Sequence, residues 1–338
     1  VELAVMAVAA VALYMNSVGL LLVSALLLGS QSTLFGPVKY SILAELVGEK
    51  RLPESNALIG IGTFMAILTG TILGGMLAGL EWQGILAVCP VIVVVGIIGI
   101  ICARYSPYTP PRAPDLKIHR GVIRPLLDIL QMTTRDHRVQ CAVLGVAWFW
   151  FLGATVMSFL PVFVKETLGF GEGVVILFLT IFSVGVALGA GLGAKLTHTK
   201  WRVPSIVAAS VVTCVGYWYL FELGSGWYPE GVASTKLGVF MHTPGHWPLI
   251  INFSVLSLAG GVYIVPLQTF VQNHSPMEIR SRVLAGSNFY NCLAMLLSAV
   301  FLVVAYAWGA RPVHVPILLA IPSGVVSLLL YRIRRELV

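Results

Sequence analysis

The sequence predicts an all-α polytopic membrane protein, and its composition and its apolar runs carry that prediction. Hydrophobic residues make up 58% of the chain and charged residues only 10%, against about 25% charged in soluble domains. Ten apolar runs approach the roughly 20 residues that a helix needs to cross a bilayer. Only helices satisfy every backbone polar group in lipid at this composition. The runs lack the alternation of polar and apolar residues that a membrane β-barrel requires.

The predicted spans divide the chain into two bundles joined by one long connection. The spans cover about 2–16, 19–38, 57–79, 84–103, 139–163, 173–195, 203–222, 249–271, 283–307 and 312–331. The first four form an N-terminal bundle, 1–103, and the last six a C-terminal bundle, 139–338. The linker, 104–138, opens with prolines that exclude a helix. Its later apolar residues share one helical face, which predicts an interfacial helix on the cytoplasmic leaflet or an ordinary linker helix.

Lysine and arginine lie mostly on one side of the predicted bilayer. With ten spans both termini share a side, and that side holds 18 of the 21 basic residues, all except Lys165, Lys236 and Arg311. Because basic residues accumulate on the cytoplasmic side, both termini of this chain are predicted to be cytoplasmic. The net charge of +7 therefore reflects topology and contact with membrane lipids, and it does not predict a nucleic-acid partner.

Catalytic motifs are missing from the sequence, so an enzyme is not predicted. No apolar run has a carboxylate near its middle, and no GxSxG, HExxH or P-loop pattern occurs. His242 and His246 have the spacing of metal ligands on a helix, but the Pro-Gly pair between them breaks such a helix. No metal or cofactor is predicted. The five cysteines form no CxxC pair and are predicted to be small buried hydrophobes.

One local pattern occurs twice, in QSTLFGPVKYSILAELVGEKRLPESN at 31–56 and in VPLQTFVQNHSPMEIRSRVLAGSN at 265–288. A shift of 229 positions lays Pro37 on Pro266, Lys39 on Gln268 and Arg51 on Arg280. Internal repeats are typical of transporters. The first copy closes the second span of its half, whereas the second copy closes the fourth. Equal halves of six spans each therefore predict two further spans before Val1, and residues 1–338 alone are expected not to transport.

Polar residues within the spans are few and point to a binding site. They concentrate in the second, third, eighth and ninth spans and include Gln31, Lys39, Asn56, Gln268, Asn288 and Asn291. The Lys39 ammonium lies near the cytoplasmic boundary, where it could bind a phosphate. The alternative is a boundary lysine that merely snorkels to the interface.

Glycines spaced by four residues predict two closely packed helices. They are Gly70, Gly74, Gly75 and Gly79 in the third span, and Gly185, Gly189 and Gly193 in the sixth. Such faces let helix backbones approach each other, so these two spans are predicted to pack closely, on each other or on neighbours. Glycine is also simply common in membrane helices.

At these positions the sequence resembles the major facilitator superfamily. FGPVKYSIL followed by SNALIGIGTFMAILTGTILGG is similar to the fourth and fifth helices of its bacterial lysophospholipid transporter branch. WFWFLGATVMSFLPVFV is similar to the seventh helix, and VPLQTFVQ with RSRVLAGSN to the tenth-to-eleventh turn. The resemblance covers essentially the whole chain. It is greatest for versions fused to an acyltransferase and an acyl-carrier-protein ligase, which remake phosphatidylethanolamine from its lyso form.

The resemblance implies that the chain holds about ten of twelve helices of a transporter with two rocking bundles and no cofactor. The implied substrate is a lysophospholipid, such as lysophosphatidylethanolamine, flipped across the bacterial inner membrane for reacylation by a fused or associated acyltransferase. Three alternatives stay open. They are an exporter of a drug, metabolite or other amphiphile, a non-transporting anchor for a fused acyltransferase, and an ion channel, which lacks a visible charged ring.

The same resemblance assigns residue roles. Lys39 matches the lysine of the branch's Pro-x-Lys-Tyr segment, implicated in headgroup handling. Substrate contacts are expected from Lys39, Tyr40, Gln31, Asn56, Gln268, Asn288 and Asn291. GAKLTHTKWR, at 193–202, takes the place of the superfamily's cytoplasmic gating motif without its usual acidic residue. Gating is expected from Pro37, Lys195, Lys200, Arg202 and Arg280.

Overall fold

The computed structural model describes residues 1–78, 81–108, 121, 123–227 and 237–335. Its main elements are helices: α1 Glu2–Tyr14, α2 Val18–Val47, α3 Leu52–Ala78, α4 Glu81–Arg104, α5 Ile123–Thr134, α6 His137–Val162, α7 Glu172–Thr197, α8 Arg202–Ser225, α9 Leu237–His242, α10 His246–Asn273, α11 Arg280–Ala307 and α12 Val315–Ile333. Below, α1–α4 are called the first half and α6–α12 the second half. Within the described residues, nine helices are long and apolar enough to cross a membrane.

Two of the predicted spans differ from the helices observed. The first is a helix of 13 residues, α1, which is shorter than the roughly 20 residues of a full crossing. The second was predicted to end near Pro37, but α2 continues through that proline for ten further residues to Val47. A proline inside a membrane helix is tolerated because neighbouring helices and local adjustments satisfy the freed carbonyl. Lys39 therefore lies inside a continuous helix.

The buried core lies in the second half, where α7 and α10 cross at very short range. A Cβ atom added to Gly189 would lie 2.1 Å from the Leu258 carbonyl oxygen, and one added to Gly261 would lie 2.2 Å from the Val186 carbonyl oxygen. Gly185 and Gly193 also face α10 closely. Glycine removes the side chains that would hold the helices apart, so the prediction of close packing at these three glycines of α7 is confirmed.

The glycines of the third span were also predicted to pack closely on another helix, and for the glycines that the structure describes this prediction is wrong. Cβ atoms added to Gly70, Gly74 and Gly75 would meet nothing within 4 Å, and Gly79 lies outside the described residues. Spacing by four predicts a small-residue face but does not say what covers it. Helix α3 does pack on α7, through a separate cluster of small buried residues that contains Ala57, Ala190 and Ala194.

A single ring of the first half enters the core of the second. Among the described residues, Phe64 of α3 is the one member of the large buried cluster that comes from the first half. Helix α2 packs on α11, and α10 contacts both α2 and α3. The two halves are therefore held together along α2 and α3 on one side and α7, α10 and α11 on the other.

The connection between the halves contains the amphipathic helix α5. Thr133, which is fully buried, fits against Gly286 of α11, where an added Cβ would clash with its hydroxyl. Ile123 and Leu127 lie four residues apart on the same face and are 75% and 58% exposed. Helices that lie on a membrane surface have such an exposed apolar face. Residues 109–120 of the predicted linker lie outside the described part of the chain.

Candidate functional site

A cleft opens between the two halves, where α2 and α3 face α6, α7, α10 and α11. It encloses about 920 Å³, including its open mouth. Its wall includes Ser32, Gly36, Lys39, Tyr40, Asn56, Thr63, Phe149, Trp150, Gln268 and Asn288. Five of the seven predicted substrate residues, Lys39, Tyr40, Asn56, Gln268 and Asn288, are thus brought together.

Helix α2 presents Lys39 to the cleft. Ser32, Gly36, Lys39 and Tyr40 share one face of the helix because they are spaced by three and four residues. Lys39 lies eight residues before the end of α2, which is about 12 Å along the axis. Its ammonium lies 4.9 Å from the centre of the Tyr40 ring. In the part of the chain that the structure describes, no carboxylate pairs with this ammonium, which leaves it available to an anion.

Amide side chains from the second half face Lys39 across the cleft. Gln268 comes from α10 and Asn288 from α11. The Asn288 side-chain nitrogen donates to the Thr33 carbonyl oxygen at 3.1 Å, and Gly36 leaves room for this amide, since an added Cβ would lie 3.4 Å from the Asn288 Oδ1. A cation on one half and neutral amides on the other can bind an anionic group between them.

The sequence repeat places equivalent residues at the cleft. Lys39 and Gln268, which the 229-residue shift aligns, both line it. Each follows a proline inside its helix, Pro37 in α2 and Pro266 in α10. The two copies of the pattern thus supply opposite walls of one site, as internal repeats do in transporters.

Asn56 mainly joins the two halves. Its side-chain nitrogen donates to Thr269 Oγ1 at 3.1 Å and to Gln272 Oε1 at 2.5 Å. Gln272 in turn donates to the Tyr40 carbonyl oxygen at 3.3 Å. Asn56, Thr269 and Gln272 are buried. These three hydrogen bonds, called the amide latch below, lie at the end of the molecule that carries the turns 48–51, 198–201 and 274–279, called the basic end.

Gln272 of the latch and a further contact beside it were not predicted from the sequence. Gln272 lies four residues after Gln268, so the helical spacing of the two glutamines was a signal that could have found it. At the basic end His198 Nε2 lies 2.7 Å from Glu54 Oε1, which is a second polar link between the halves. No local pattern in the sequence pairs these two exposed residues.

Two predicted substrate residues do not line the cleft. Gln31 precedes Ser32 on α2 and lies off the face that forms the wall. Asn291 is half-buried on α11, and its side-chain oxygen is buried without a hydrogen-bond partner among the described residues. Neither residue is therefore placed at this site, and their contact with the substrate stays a prediction.

The predicted gating residues are dispersed around the basic end. Lys195 and Lys200 are exposed, and Lys200 and Arg202 border a surface pocket with Arg334 and Arg335. Arg280 is buried and donates to the Ser275 carbonyl oxygen at 3.3 Å, which is a contact within the turn before α11. Pro37 lies in α2. Their roles in gating stay predictions.

Replacing Asn56 by Leu is expected to loosen the basic end. The change removes two bonds of the latch and leaves Gln272 and Thr269 with unpaired buried groups. In a cysteine-free background carrying Thr63→Cys, which lines the cleft, maleimide labelling from the basic end should rise several-fold. Asn252→Leu is the matched control, because Asn252 donates to Gly216 inside the second half. Equal labelling in both variants would contradict a latch function.

Known proteins match this sequence over most of its length at modest identity. The family model of the major facilitator superfamily matches residues 3–299. The lysophospholipid transporter LplT of Serratia proteamaculans is 26% identical over 274 residues, which cover 80% of this chain and 63% of that protein. The protein of the same name from Klebsiella pneumoniae subsp. pneumoniae is 26% identical over 295 residues, or 86% of this chain and 68% of the relative. The chain thus spans about two thirds of the length of these relatives.

Solved structures agree with the fold. The human organic anion transporter MFSD10 superimposes with a TM-score of 0.76 at 16% identity, covering 97% of this chain and 74% of that one. The Escherichia coli fucose:proton symporter FucP superimposes with a TM-score of 0.62 at 15% identity, covering 98% of this chain and 82% of the other. With the family model matching most of its length and two helical halves flanking a central cleft, the chain belongs to the major facilitator superfamily.

Proposed function

We propose that this chain is the transport core of a lysophospholipid flippase of the bacterial inner membrane. The observation that carries the proposal is the Lys39 ammonium in the cleft between the halves, with no carboxylate beside it in the described residues and with amides opposite. A lysophospholipid presents a phosphate, which pairs well with an ammonium and with amide donors. Relatives named as lysophospholipid transporters favour this substrate over other anions.

The two halves would expose the cleft to each side of the membrane in turn. The amide latch and the Glu54–His198 contact hold the basic end shut. If the basic end is cytoplasmic, as the excess of lysine and arginine there predicts, the structure represents a state closed toward the cytoplasm. A headgroup arriving from the outer leaflet then reaches Lys39 first, and release into the inner leaflet requires the latch to open.

A reacylating partner fits this direction of transport. Lysophospholipid delivered to the cytoplasmic leaflet is a substrate for an acyltransferase, so we include a fused or associated acyltransferase in the proposal. The chemistry would take place in that enzyme, while this chain binds and moves the lipid. A transporter and a non-transporting anchor for the acyltransferase would give different results in a flipping assay.

A reconstituted flipping assay tests the function. The protein expressed from its native gene is placed in proteoliposomes with fluorescent lysophosphatidylethanolamine in the outer leaflet. We expect protein-dependent transfer to the inner leaflet that unlabelled lysophospholipid competes for and that cationic or uncharged amphiphiles do not. Transfer of those amphiphiles instead would indicate a drug exporter, and absence of any transfer would indicate an anchor.

Cysteine labelling tests the sidedness. In a cysteine-free background, Ser106→Cys and Ser225→Cys place single thiols at exposed positions after α4 and at the end of α8. An impermeant maleimide added to intact cells is expected to label Ser225→Cys only, and Ser106→Cys should react after the membrane is permeabilised. Reaction of both from outside would overturn the orientation and leave the fold unaffected.

A further inference from the structure

A surface pocket at the basic end of the second half, called the basic pocket below, shares no lining residue with the cleft. It is formed by the turn between α7 and α8, the first residues of α8 and the two residues that follow α12. It encloses about 820 Å³, including its open mouth, and about 420 Å³ of this space admits water-sized molecules. No carboxylate is among its lining residues, whereas four cationic side chains are, those of Lys200, Arg202, Arg334 and Arg335.

Aromatic rings hold two of these cations in place. The Lys200 ammonium lies 5.9 Å from the centre of the Trp201 ring, and the Arg334 guanidinium carbon lies 3.8 Å from the centre of the Tyr331 ring. Arg334 also donates to the Tyr331 carbonyl oxygen at 2.6 Å. Trp201 and Tyr331 are 57% and 53% exposed. Because tryptophan and tyrosine are enriched at the headgroup level of membranes, these rings place the cations at the depth of the lipid phosphates.

The positive charge of the basic pocket is not neutralised at three of its four cations by the described part of the chain. No described carboxylate forms an ion pair with Lys200, Arg334 or Arg335. Each lysine or arginine near an anionic membrane surface strengthens binding by about fivefold. The basic pocket therefore suits a negatively charged headgroup.

The wall of the basic pocket continues into an apolar stripe on α8. Pro204 lines the pocket, and Ala208, Val211 and Val215 follow it at spacings of four, three and four residues, which place all four on one face of the helix. All four are exposed. A ligand with a phosphate in the basic pocket could therefore lay an acyl chain along this face, which a free phosphate ion cannot do.

We propose that the basic pocket binds the headgroup of a diacyl anionic phospholipid, such as phosphatidylglycerol, from the leaflet that meets the basic end. This lipid is a structural lipid and not the transported substrate, so the inference goes beyond the proposed function and does not depend on it. Its phosphate would join the turn between α7 and α8 to the end of α12. His198, which also lines the basic pocket, contacts Glu54 of the first half, so the lipid would lie beside one of the links between the halves.

Native mass spectrometry tests the proposal on the protein expressed from its native gene. The protein in neutral detergent is titrated with dioleoylphosphatidylglycerol or dioleoylphosphatidylethanolamine, and the lipids that stay bound are counted. We expect one phosphatidylglycerol adduct at lipid concentrations that give no phosphatidylethanolamine adduct, and an excess of inorganic phosphate should not displace it. Displacement by inorganic phosphate would indicate a site for a free anion, and equal adducts of the two lipids would indicate bulk lipid contact. Either result would overturn the proposal.

Two double variants with the same loss of charge locate the site. Lys200→Gln with Arg335→Gln should weaken phosphatidylglycerol binding by about 25-fold, which is fivefold for each charge. Lys50→Gln with Arg104→Gln is the matched control, because it removes two exposed cations that do not line the basic pocket, and it should bind like the wild type. All four positions are exposed, so the fold should be spared, which thermal unfolding checks. Equal weakening in both double variants, or in neither, would refute the basic pocket as the site and leave the proposed function untouched.

Discussion

Lys39→Gln is expected to lower lysophospholipid flipping by about 10- to 100-fold, the range for losing one hydrogen bond to a charged group. Glutamine keeps much of the length and can donate a hydrogen bond, but it removes the charge that faces the headgroup phosphate in the cleft. The initial rate in proteoliposomes, normalised to reconstituted protein, measures the effect.

The control for this variant is another lysine of the same chain. Lys165 pairs with Glu172 at 2.5 Å, and both side chains are about half exposed or more, at 49% and 71%. Exposed ion pairs contribute about 0–1 kcal/mol, so Lys165→Gln should transport like the wild type. Unchanged flipping by Lys39→Gln would mean that Lys39 only snorkels to the interface, and the headgroup site would have to be sought elsewhere.

Gly189→Leu is expected to abolish most of the folded protein. The obstacle to a side chain there is the backbone of α10, with the Leu258 carbonyl oxygen 2.1 Å from the new Cβ. Overpacking costs about 1–3 kcal/mol even where side chains can adjust, and here two helix backbones must separate. The yield of monodisperse protein in gel filtration should fall severalfold, and its thermal unfolding should begin at lower temperature.

Gly191→Leu, two residues further along the same helix, separates this effect from a general intolerance of leucine. An added Cβ at Gly191 meets nothing within 4 Å. This variant should keep the yield and unfolding temperature of the wild type. A loss of folded protein in both variants alike would argue that helix α7 does not depend on the glycine crossing.

The membrane helices and five of the residues that line the cleft could be predicted from the sequence because their signals are local. Apolar runs of sufficient length mark helices whatever the tertiary fold, and the repeat singled out Lys39 together with Gln268. The prediction that the second span ends near Pro37 was wrong, because a proline that would break a helix in water is accommodated between packed membrane helices. The prediction of close packing at the glycines of α3 was wrong, because spacing shows which residues share a helix face but not which neighbour packs on that face.

Contacts between the halves could not be predicted in the same way. Asn56 and Gln272 are 216 positions apart, and no sequence motif around either residue indicates that the other is its partner. Phe64 is one apolar residue among many in its span, and only the packed structure shows its ring between Phe149 and Phe182.

The amide latch also bears on how well the membrane stays sealed while the protein is idle. Hydrogen bonds between membrane helices contribute about 0.6 kcal/mol on average and hydrogen bonds in general up to about 1.5 kcal/mol, so the three bonds of the latch favour the shut state by about 2–4 kcal/mol. That corresponds to an occupancy ratio of roughly 30- to 1000-fold. A solute can reverse this ratio only through contacts it makes better in the open state. Protons and small ions make few such contacts, so the membrane potential would not drain through an empty cleft, whereas a lipid whose headgroup engages Lys39 and the facing amides of Gln268 and Asn288 could supply the difference.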